Sequence, residues 1–221
     1  MTQYPRTYGR RTVLGAIGAT AVGASVAGCL GDDGPDGTVL SPPENFDRMS
    51  EIDLPYPAYG EELPEVSVPA PLRDRTVTTT EFVGDRHAMM TFLYTNCATV
   101  CPGLMSTLRR VQADSIDEAY AEEFAFMPTT FDPERDTPEA IDEYCGAMGV
   151  NRDVGNWYFL RPETPERARE VVDHTFGVAF EGGDPADMGD DHGGVDGDHA
   201  RHFQHASLVL LVNKDGIVER A

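Results

Sequence analysis

The sequence predicts an α/β fold with a central, mostly parallel sheet flanked by helices. Residues 88–94 form a short run of bulky apolar residues typical of a buried strand, and Pro102 then suits the first turn of a helix. The same order recurs later, because residues 124–131 form a second strand-like run and Pro138 follows as another first helical residue. Strands that alternate with helices in this way are typical of a largely parallel sheet.

The helix after the first strand is predicted from the spacing of its apolar residues. Leu104, Leu108 and Val111 recur at helical spacing, whereas Arg109 and Arg110 lie on the opposite face. One face of this helix is therefore expected to pack on the sheet and the other to face solvent.

The second helix begins at a good N-cap residue, Thr137, and extends to about Met148. The other predicted elements are a strand or hairpin at residues 76–82, a short strand at 156–160, a helix from Thr164 and Pro165 to about Gly177, a strand at 207–212 and its partner at 217–219. Residues 181–201 consist mainly of Gly, Asp and His and are predicted to form a mobile loop.

Residues 1–28 have the features of an export signal. Arg10 and Arg11 precede an uncharged apolar run at residues 13–27 that is too short to span a bilayer. The arginine pair favours export by the twin-arginine route, with general secretion as the alternative.

Residues 26–29 resemble a lipobox, which predicts cleavage before Cys29 and lipidation of this cysteine. The alternative is that Cys29 is an unmodified residue of the signal segment. A lipid at this position would anchor the protein on the outer face of the cytoplasmic membrane. Residues 29–70, which are acidic and rich in Pro and Gly, are predicted to be a linker, and residues 71–221 the folded domain.

The composition is strongly acidic, with 38 Asp and Glu against 17 Lys and Arg and a formal net charge of −21. This charge repels nucleic acids and anionic lipid headgroups, so neither is an expected partner. Lys214 is the only lysine. Such an aspartate-rich, lysine-poor chain resembles those of salt-loving archaea, in which strong screening relieves repulsion between like charges. The alternative is an acidic protein from an ordinary source.

Two cysteines lie where the first strand gives way to the first helix. Cys97 and Cys101 are four residues apart, which on a helical turn places their side chains about 5–6 Å apart on one face. This arrangement suits a disulfide or a pair of thiolates that bind one soft metal ion.

The spacing leaves three roles open for the cysteine pair: a structural disulfide, thiol exchange or metal binding. A disulfide across so short a loop adds little stability by chain entropy, and a helix N-terminus lowers the pKa of a nearby thiol, so reactive or metal-binding thiolates are favoured. Two thiolates select Cu(I) over hard ions. His205, just before the strand at 207–212, is the candidate third ligand, with a hydrogen-bonded histidine at a strand end as the alternative.

Three separated segments resemble the Sco/SenC family of copper chaperones. Residues 92–102, with the sequence FLYTNCATVCP, are similar to the family's metal-binding motif. Residues 130–138, with the sequence TFDPERDTP, are similar to its second signature. His205, with Ser207 and residues 211–216, is similar to its histidine segment.

The resemblance implies a thioredoxin-like fold, with copper held by Cys97, Cys101 and His205. The two cysteines would also act as redox thiols and form a disulfide when oxidised. Family members help to metallate the binuclear copper centre of cytochrome oxidase, as metal donors or as reductants of the target's cysteines. The implied partner is the copper-bearing oxidase subunit or another copper chaperone, and the chain is expected to be a monomer.

Asp132 and Asp136 match the acidic pair of the second signature. Two roles stay open for them: outer-sphere tuning or weak ligation of copper, and turn and cap chemistry in an Asp-Pro loop. The chain also departs from the family, which commonly has Pro-Asp where Ala98 and Thr99 stand and frequently has histidine at Asn96. These departures affect the tuning of the site rather than the ligands themselves.

Other candidate residues lie outside the three segments. Cys145 is interpreted as a buried apolar residue, with a resolving thiol as the alternative. The loop residues that could form an accessory metal-collecting patch, or alternatively a solvated loop, are Met188, His192, His199 and His202.

We therefore expect an exported, lipid-anchored copper-binding assembly factor for cytochrome oxidase that is not an enzyme in the usual sense. The alternative from another class is a thioredoxin-like thiol–disulfide oxidoreductase that acts on exported proteins. Copper binding that depends on His205 would distinguish the first from the second.

Overall fold

Most of the secondary structure that is described lies after the predicted linker, in an order that alternates strands and helices. A computed structural model describes residues 37–182, 203–205 and 207–221, with only the backbone at residues 181–182 and 203–205. Its strands are β1 (Ser67–Ala70), β2 (Arg75–Thr78), β3 (His87–Leu93), β4 (Phe124–Thr130), β5 (Phe180–Gly182), β6 (Phe203–His205), β7 (Val209–Val212) and β8 (Val218–Arg220). Its helices are α1 (Phe46–Met49), α2 (Cys101–Asp117), α3 (Pro138–Ala147) and α4 (Pro165–Ala168), which continues as a π-helix (Arg169–Thr175), with short 3₁₀ turns at Pro71–Arg73 and Ala121–Glu123.

Several sequence predictions fall outside the described residues. These are the signal peptide at residues 1–28, the lipidation site Cys29, and the loop residues Met188, His192, His199 and His202. Among the helices that the structure describes, none is long and apolar enough to cross a membrane.

The central sheet has the strand order β4-β3-β7-β8. Strand β3 pairs with β4 in parallel, from His87 opposite Phe124 to Leu93 opposite Thr130, and with β7 in the antiparallel sense. Strand β7 also pairs antiparallel with β8. The predicted strand at residues 156–160 lies parallel to β4 but joins it only through two isolated bridges. The α/β prediction is confirmed, and the sheet is mixed.

The lengths of the connections explain why the sheet is mixed. A parallel pair needs a long crossover, and α2 supplies it between β3 and β4. The connection from β7 to β8 is a tight turn in which the Asn213 side-chain oxygen accepts bonds from the backbone N–H groups of Asp215 and Ile217, at 2.9 and 3.0 Å. Gly216 ends this turn at φ = +82°, a conformation that favours glycine. So short a turn permits only an antiparallel pair.

The core lies on both faces of β3, which is the central strand. Met90, Phe92 and Leu93 are fully buried there, and Met105 and Leu108 of α2 are fully buried above it. A strand covered on both faces carries a continuous apolar run rather than an alternating one, which explains the sequence of residues 88–94.

A buried amide network fixes α2 relative to the edge of the sheet. The Gln112 side chain donates to the Asn151 carbonyl and to the Asn156 side-chain oxygen, both at 2.9 Å, and accepts from the Asn151 N–H at 3.0 Å. Asn156 in turn donates to the Ala121 carbonyl at 2.9 Å. Because Gln112 and Asn156 are buried and bonded to each other, they hold the helix that begins at Cys101 in one position.

The described part of the predicted linker, residues 37–70, makes contacts with the central sheet and includes strand β1. The buried Glu219 carboxylate accepts backbone N–H bonds from Val39 at 2.6 Å and Leu40 at 2.9 Å, and the Tyr59 hydroxyl donates to the Leu40 carbonyl at 2.6 Å. Further on, Glu62 forms a bridge with Ile217 beside β8. These contacts cover a sheet edge that would otherwise be open. The composition of this segment did not indicate that it would make them.

Residues 55–56 pass very close to the end of the π-helix. A side chain at Gly177, where φ is +64°, would collide with the backbone of Pro55. Glycine is therefore required at this position both for its backbone conformation and for the close approach of the N-terminal segment.

Replacement of Glu219 by Gln is expected to destabilise the fold. The amide replaces one accepting oxygen with a donor, so the two N–H groups and the Asn213 amide that bond to the carboxylate lose an acceptor. The free energy of unfolding, measured by urea denaturation, should fall by about 1–3 kcal/mol. The exposed Glu122→Gln is the matched control and should change it by less than about 0.5 kcal/mol. Equal effects of the two variants would contradict this role for Glu219.

Candidate metal and thiol site

The cysteine pair lies at the carboxyl end of the central strand. Strand β3 ends at Leu93, the chain turns, and α2 begins at Cys101. Both sulfur-bearing side chains are buried, with exposed fractions of 5% for Cys97 and 0% for Cys101. The predicted hand-over from strand to helix at this pair is therefore confirmed.

The Cys97 sulfur occupies the place of a helix cap. The N-cap residue Val100 offers no side-chain acceptor, and the Cys101 backbone N–H donates instead to the Cys97 sulfur at 3.4 Å. The Thr99 hydroxyl lies 3.5 Å from the same sulfur. The N-terminal N–H groups of a helix favour negative charge, so this position stabilises a thiolate at Cys97.

The two sulfurs differ strongly in their ease of ionisation. Burial disfavours the Cys97 thiolate, but hydrogen bonds from Cys101 and Thr99 outweigh it and lower its pKa to about 6. Burial raises the pKa of Cys101 to about 12, and its hydrogen bond to Cys97 adds to the increase. At neutral pH the pair therefore consists of one thiolate and one thiol.

Among the described residues, no disulfide joins Cys97, Cys101 or Cys145. The disulfide between Cys97 and Cys101 remains a prediction for the oxidised state. Cys145 is completely buried in α3, and burial raises its pKa to about 12. These properties agree with its interpretation as a buried apolar residue.

Asp136 ties the second signature to the end of β3. Its buried carboxylate accepts the Thr95 backbone N–H at 3.1 Å and the Thr95 hydroxyl at 2.5 Å, and it also accepts the Thr130 hydroxyl. Thr95 stands two residues before Cys97. Burial raises the pKa of Asp136, although the bonds from Thr130 and Thr95 favour its charged form. This carboxylate therefore fixes the start of the cysteine loop.

Asp132 has a different environment from Asp136. Its buried carboxylate pairs with Arg135, whose Nε lies 2.5 Å away, and its carbonyl accepts the Asp136 N–H at 3.0 Å. Thr137 caps α3 as predicted, since its hydroxyl accepts the Ala140 N–H at 3.3 Å. Outer-sphere tuning of copper by Asp132 and Asp136 remains a prediction.

Arg161 is a supporting residue that the sequence did not reveal. Its guanidinium donates to the Asp136 carbonyl at 2.8 Å and to the Pro133 carbonyl at 2.7 Å. It therefore holds the loop of the second signature from the edge of the sheet. No sequence pattern indicates that an arginine after a short strand will contact a loop 25 residues earlier in the chain.

The backbone of His205 lies at the same end of the sheet as the cysteines. Residue 205 lies opposite Phe180 in the β5–β6 pair. Strand β7 pairs with β3 with Val209 opposite Thr91, and the Thr91 hydroxyl donates to the Leu208 carbonyl at 2.7 Å. Because these strands are antiparallel, residues before Val209 lie towards the end of β3 from which the cysteine loop leaves. Ligation of copper by His205 remains a prediction.

Rings connect the β5–β6 pair with the cysteine loop. Phe180 stacks on Phe131 with ring centroids 4.9 Å apart, and Phe131 contacts Tyr94 at 5.4 Å. Tyr94 is the first residue after β3, at the start of the cysteine loop. Within the part of the chain whose side chains are described, no group of three His, Cys, Asp or Glu residues is placed to hold a metal ion.

This arrangement supports two kinds of chemistry. Two soft sulfur donors at one helix N-terminus suit Cu(I), and a low-pKa thiolate beside a protonated thiol suits thiol–disulfide exchange. Both use Cys97 and Cys101.

Comparison with known proteins identifies a related family. The SCO1/SenC family profile matches residues 72–221, which is more than half of the chain. No curated protein matches the chain in sequence.

Solved structures of this kind superpose on most of the chain. A SCO1/SenC family lipoprotein from Bacillus anthracis has a TM-score of 0.56 at 18% identity and covers 72% of this chain and 82% of its own. BsSco, described with a disulfide switch as a member of the Sco family of cytochrome c oxidase assembly proteins, has a TM-score of 0.51 at 20% identity over 74% and 82%. Arabidopsis thaliana ScoI with copper bound has a TM-score of 0.51 at 19% identity over 70% and 83%. These matches confirm the predicted thioredoxin-like α/β fold.

Alkylation by iodoacetamide is expected to follow the ionisation of Cys97. Because the pKa of Cys97 is lowered to about 6, its alkylation rate should be half-maximal near that pH, whereas Cys101 and Cys145 should stay unmodified below pH 9. Peptide mass spectrometry locates the modification. The free energy of unfolding should also rise with pH between about 6 and 9, because in this window the Cys97 sulfur keeps its proton in the unfolded chain but not in the folded one. Thr99→Val should raise the midpoint, and a wild-type midpoint near 8.5 would contradict the assignment.

Replacement of Asp136 by Asn is expected to loosen the cysteine loop. The amide cannot accept all the bonds that Thr95 and Thr130 donate, so the free energy of unfolding should fall by about 1–3 kcal/mol in urea denaturation. The exposed Asp117→Asn is the matched control. An unchanged stability of Asp136→Asn would show that the carboxylate is not needed to hold the loop.

Proposed function

Because the chain belongs to the SCO1/SenC family, we propose that it binds copper and delivers it during assembly of cytochrome c oxidase. Copper is the cargo of such a protein rather than a resident cofactor. The observation that carries the proposal is the buried pair Cys97 and Cys101 at the N-terminus of α2, with Cys97 held as a thiolate.

The donor chemistry of the pair fits Cu(I). Thiolates are soft ligands, and a site with two of them selects Cu(I) over hard cations. Loading requires Cys101 to lose its proton, because only a thiolate binds the metal. His205 would supply an imidazole as the third ligand from the end of β6, whose backbone lies at the same end of the sheet as the cysteine loop.

Delivery would proceed by ligand exchange. A recipient with soft ligands of its own would replace the Cys97 and Cys101 sulfurs one at a time. The proposed recipient is the copper-bearing oxidase subunit, and another copper chaperone would be the source or an alternative recipient. Two similar structures support this direction, since one is Arabidopsis thaliana ScoI with copper bound and the other is BsSco, a member of the Sco family of cytochrome c oxidase assembly proteins.

The place of action is part of the proposal. An export signal at residues 1–28 and a lipid at Cys29 would put the domain on the outer face of the cytoplasmic membrane. The excess of acidic residues supports an origin in a salt-loving archaeon, and we propose that the chain acts as a monomer.

A second candidate function is thiol–disulfide exchange, and the unequal pKa values of the two cysteines favour it. The Cys97 thiolate would attack a target disulfide and form a mixed disulfide, releasing one target thiolate. Cys101 would then give up its proton and attack Cys97, forming the Cys97–Cys101 disulfide and releasing the second target thiolate. The target gains two electrons and the protein loses two.

Titration of the reduced protein with Cu(I) in high salt tests the proposed function. We expect one Cu(I) per chain in competition with a chromogenic chelator, because the site offers one pair of sulfurs. Cys97→Ser, Cys101→Ser and His205→Ala should each lose stoichiometric binding, since each removes a ligand. Cys145→Ala and His174→Ala are the matched controls and should keep it.

The same variants distinguish the two candidate functions. An exchange enzyme should reduce disulfides catalytically without metal, and His205→Ala should leave that activity intact. Stoichiometric copper binding by His205→Ala, or its absence from the wild type, would argue against the copper carrier.

A further inference from the structure

The backbone of His205 belongs to a strand with a single described strand partner. Among the strands that the structure describes, β6 pairs only with β5, and the register places residue 205 directly opposite Phe180. Further along the chain, the Leu208 carbonyl is fixed by the Thr91 hydroxyl, which donates to it at 2.7 Å. The place of residues 203–205 therefore depends on whatever holds β5.

The segment that leads into β5 lays one face on the core. Phe176 and Val178 are fully buried and Phe180 is 9% exposed, whereas Ala179 is exposed. Burial of every second residue is typical of extended backbone with one face covered. The start of the segment is anchored on the central strand, because the Phe176 ring lies 5.1 Å from the Phe92 ring of β3, measured between centroids. Its end lies at Phe180.

Three aromatic rings join the end of this segment to the cysteine loop. Phe180 stacks on Phe131 with an angle of 21° between the ring planes and 4.9 Å between centroids, and the Phe131 centroid lies 5.4 Å from that of Tyr94. The Tyr94 carbonyl then accepts the Cys97 backbone N–H at 3.3 Å. A continuous series of contacts therefore connects the strand position opposite residue 205 with the backbone of Cys97.

The middle ring of this series is a fixed support. Phe131 is 2% exposed, and its backbone N–H donates to the carbonyl of Leu93, the last residue of β3, at 3.2 Å. Stacked aromatic pairs are stabilising beyond the apolar area that they bury. The Phe180 ring therefore has a specific place to dock, next to the residue from which the cysteine loop leaves.

We propose that Phe180 is a positioning residue, which holds residues 203–205 beside the cysteine loop before copper binds. The proposal rests on the proposed function, in which His205 supplies the third ligand, and it adds the residue that places this ligand. A ligand group that is already held in place loses less conformational freedom when the metal binds, so the affinity for the metal is higher.

This role differs from that of a ring that only fills the core. Loss of such a ring lowers the stability of the whole domain. Loss of the Phe180 ring should instead act locally, because β6 is joined to the described sheet structure through β5 alone and can open without the rest of the domain unfolding.

Amide hydrogen exchange of the metal-free full chain tests the local effect. In Phe180→Leu, which removes the ring and keeps an apolar side chain, the peptide that contains residues 203–205 should exchange about fivefold faster than in the wild type. The matched control is Phe176→Leu, which removes a buried ring from the same segment but leaves the stack on Phe131 intact. Its exchange at residues 203–205 should stay within about twofold of the wild type.

A double-mutant cycle with Cu(I) tests whether the effect passes through residue 205. With a chelator weak enough to measure binding by two sulfurs, Phe180→Leu should raise the dissociation constant for Cu(I) about fivefold in the wild-type background. In the His205→Ala background the same change should raise it less than about twofold, because the ligand that Phe180 positions is already absent.

Three results would overturn the role of Phe180. They are unchanged exchange at residues 203–205 in Phe180→Leu, an equal increase in exchange in Phe176→Leu, and an equal loss of Cu(I) affinity with and without His205. A wild type that fails to bind Cu(I) would overturn the copper carrier, and faster exchange confined to Phe180→Leu would then still support the ring as the support of residues 203–205.

Discussion

The hydrogen bonds between Asp136 and Thr95 are the interaction on which the arrangement of the site depends. They join the end of β3 to the loop before α3, so that the two signature segments meet two residues before Cys97. The same contact sets where α3 begins relative to the cysteine loop. Arg161 supports the loop from the other side by binding its carbonyls.

The two cysteine side chains of the site are chemically identical, but their environments give them different pKa values. Cys97 lies where the N–H of Cys101 and the Thr99 hydroxyl meet it, and its pKa falls to about 6. Cys101 lies inside the first turn of α2, is fully buried, and its pKa rises to about 12. A thiolate at Cys97 and a protonated thiol at Cys101 suit a protein that accepts and releases a soft cation. The affinity for the cation then depends on the proton that Cys101 must lose on binding.

Strands β7 and β8 connect the C-terminal part of the chain with the cysteine loop and with the segment that begins at residue 37. Strand β7 occupies the position next to β3, which brings the segment before it to the end of the sheet where the cysteine loop lies. Strand β8 carries Glu219, whose carboxylate holds the backbone of residues 39–40 about 180 residues away in sequence. The N-terminal segment thus covers the sheet edge that the last hairpin would otherwise leave open, and the family match over residues 72–221 does not include that cover.

Much of the secondary structure could be predicted from interactions between residues that are close in sequence. The apolar run of β3, the Thr137 cap, Pro138 and the four-residue spacing of Cys97 and Cys101 each depend on neighbours in sequence, and the structure confirms the elements that they predict. Tertiary structure alone decided the mixed sheet, the Gln112 network and the Arg161 and Glu219 contacts. Each of these joins groups far apart in sequence, and such pairings exist only once the chain has closed around its core, because no local pattern encodes which distant partner a buried polar group will meet.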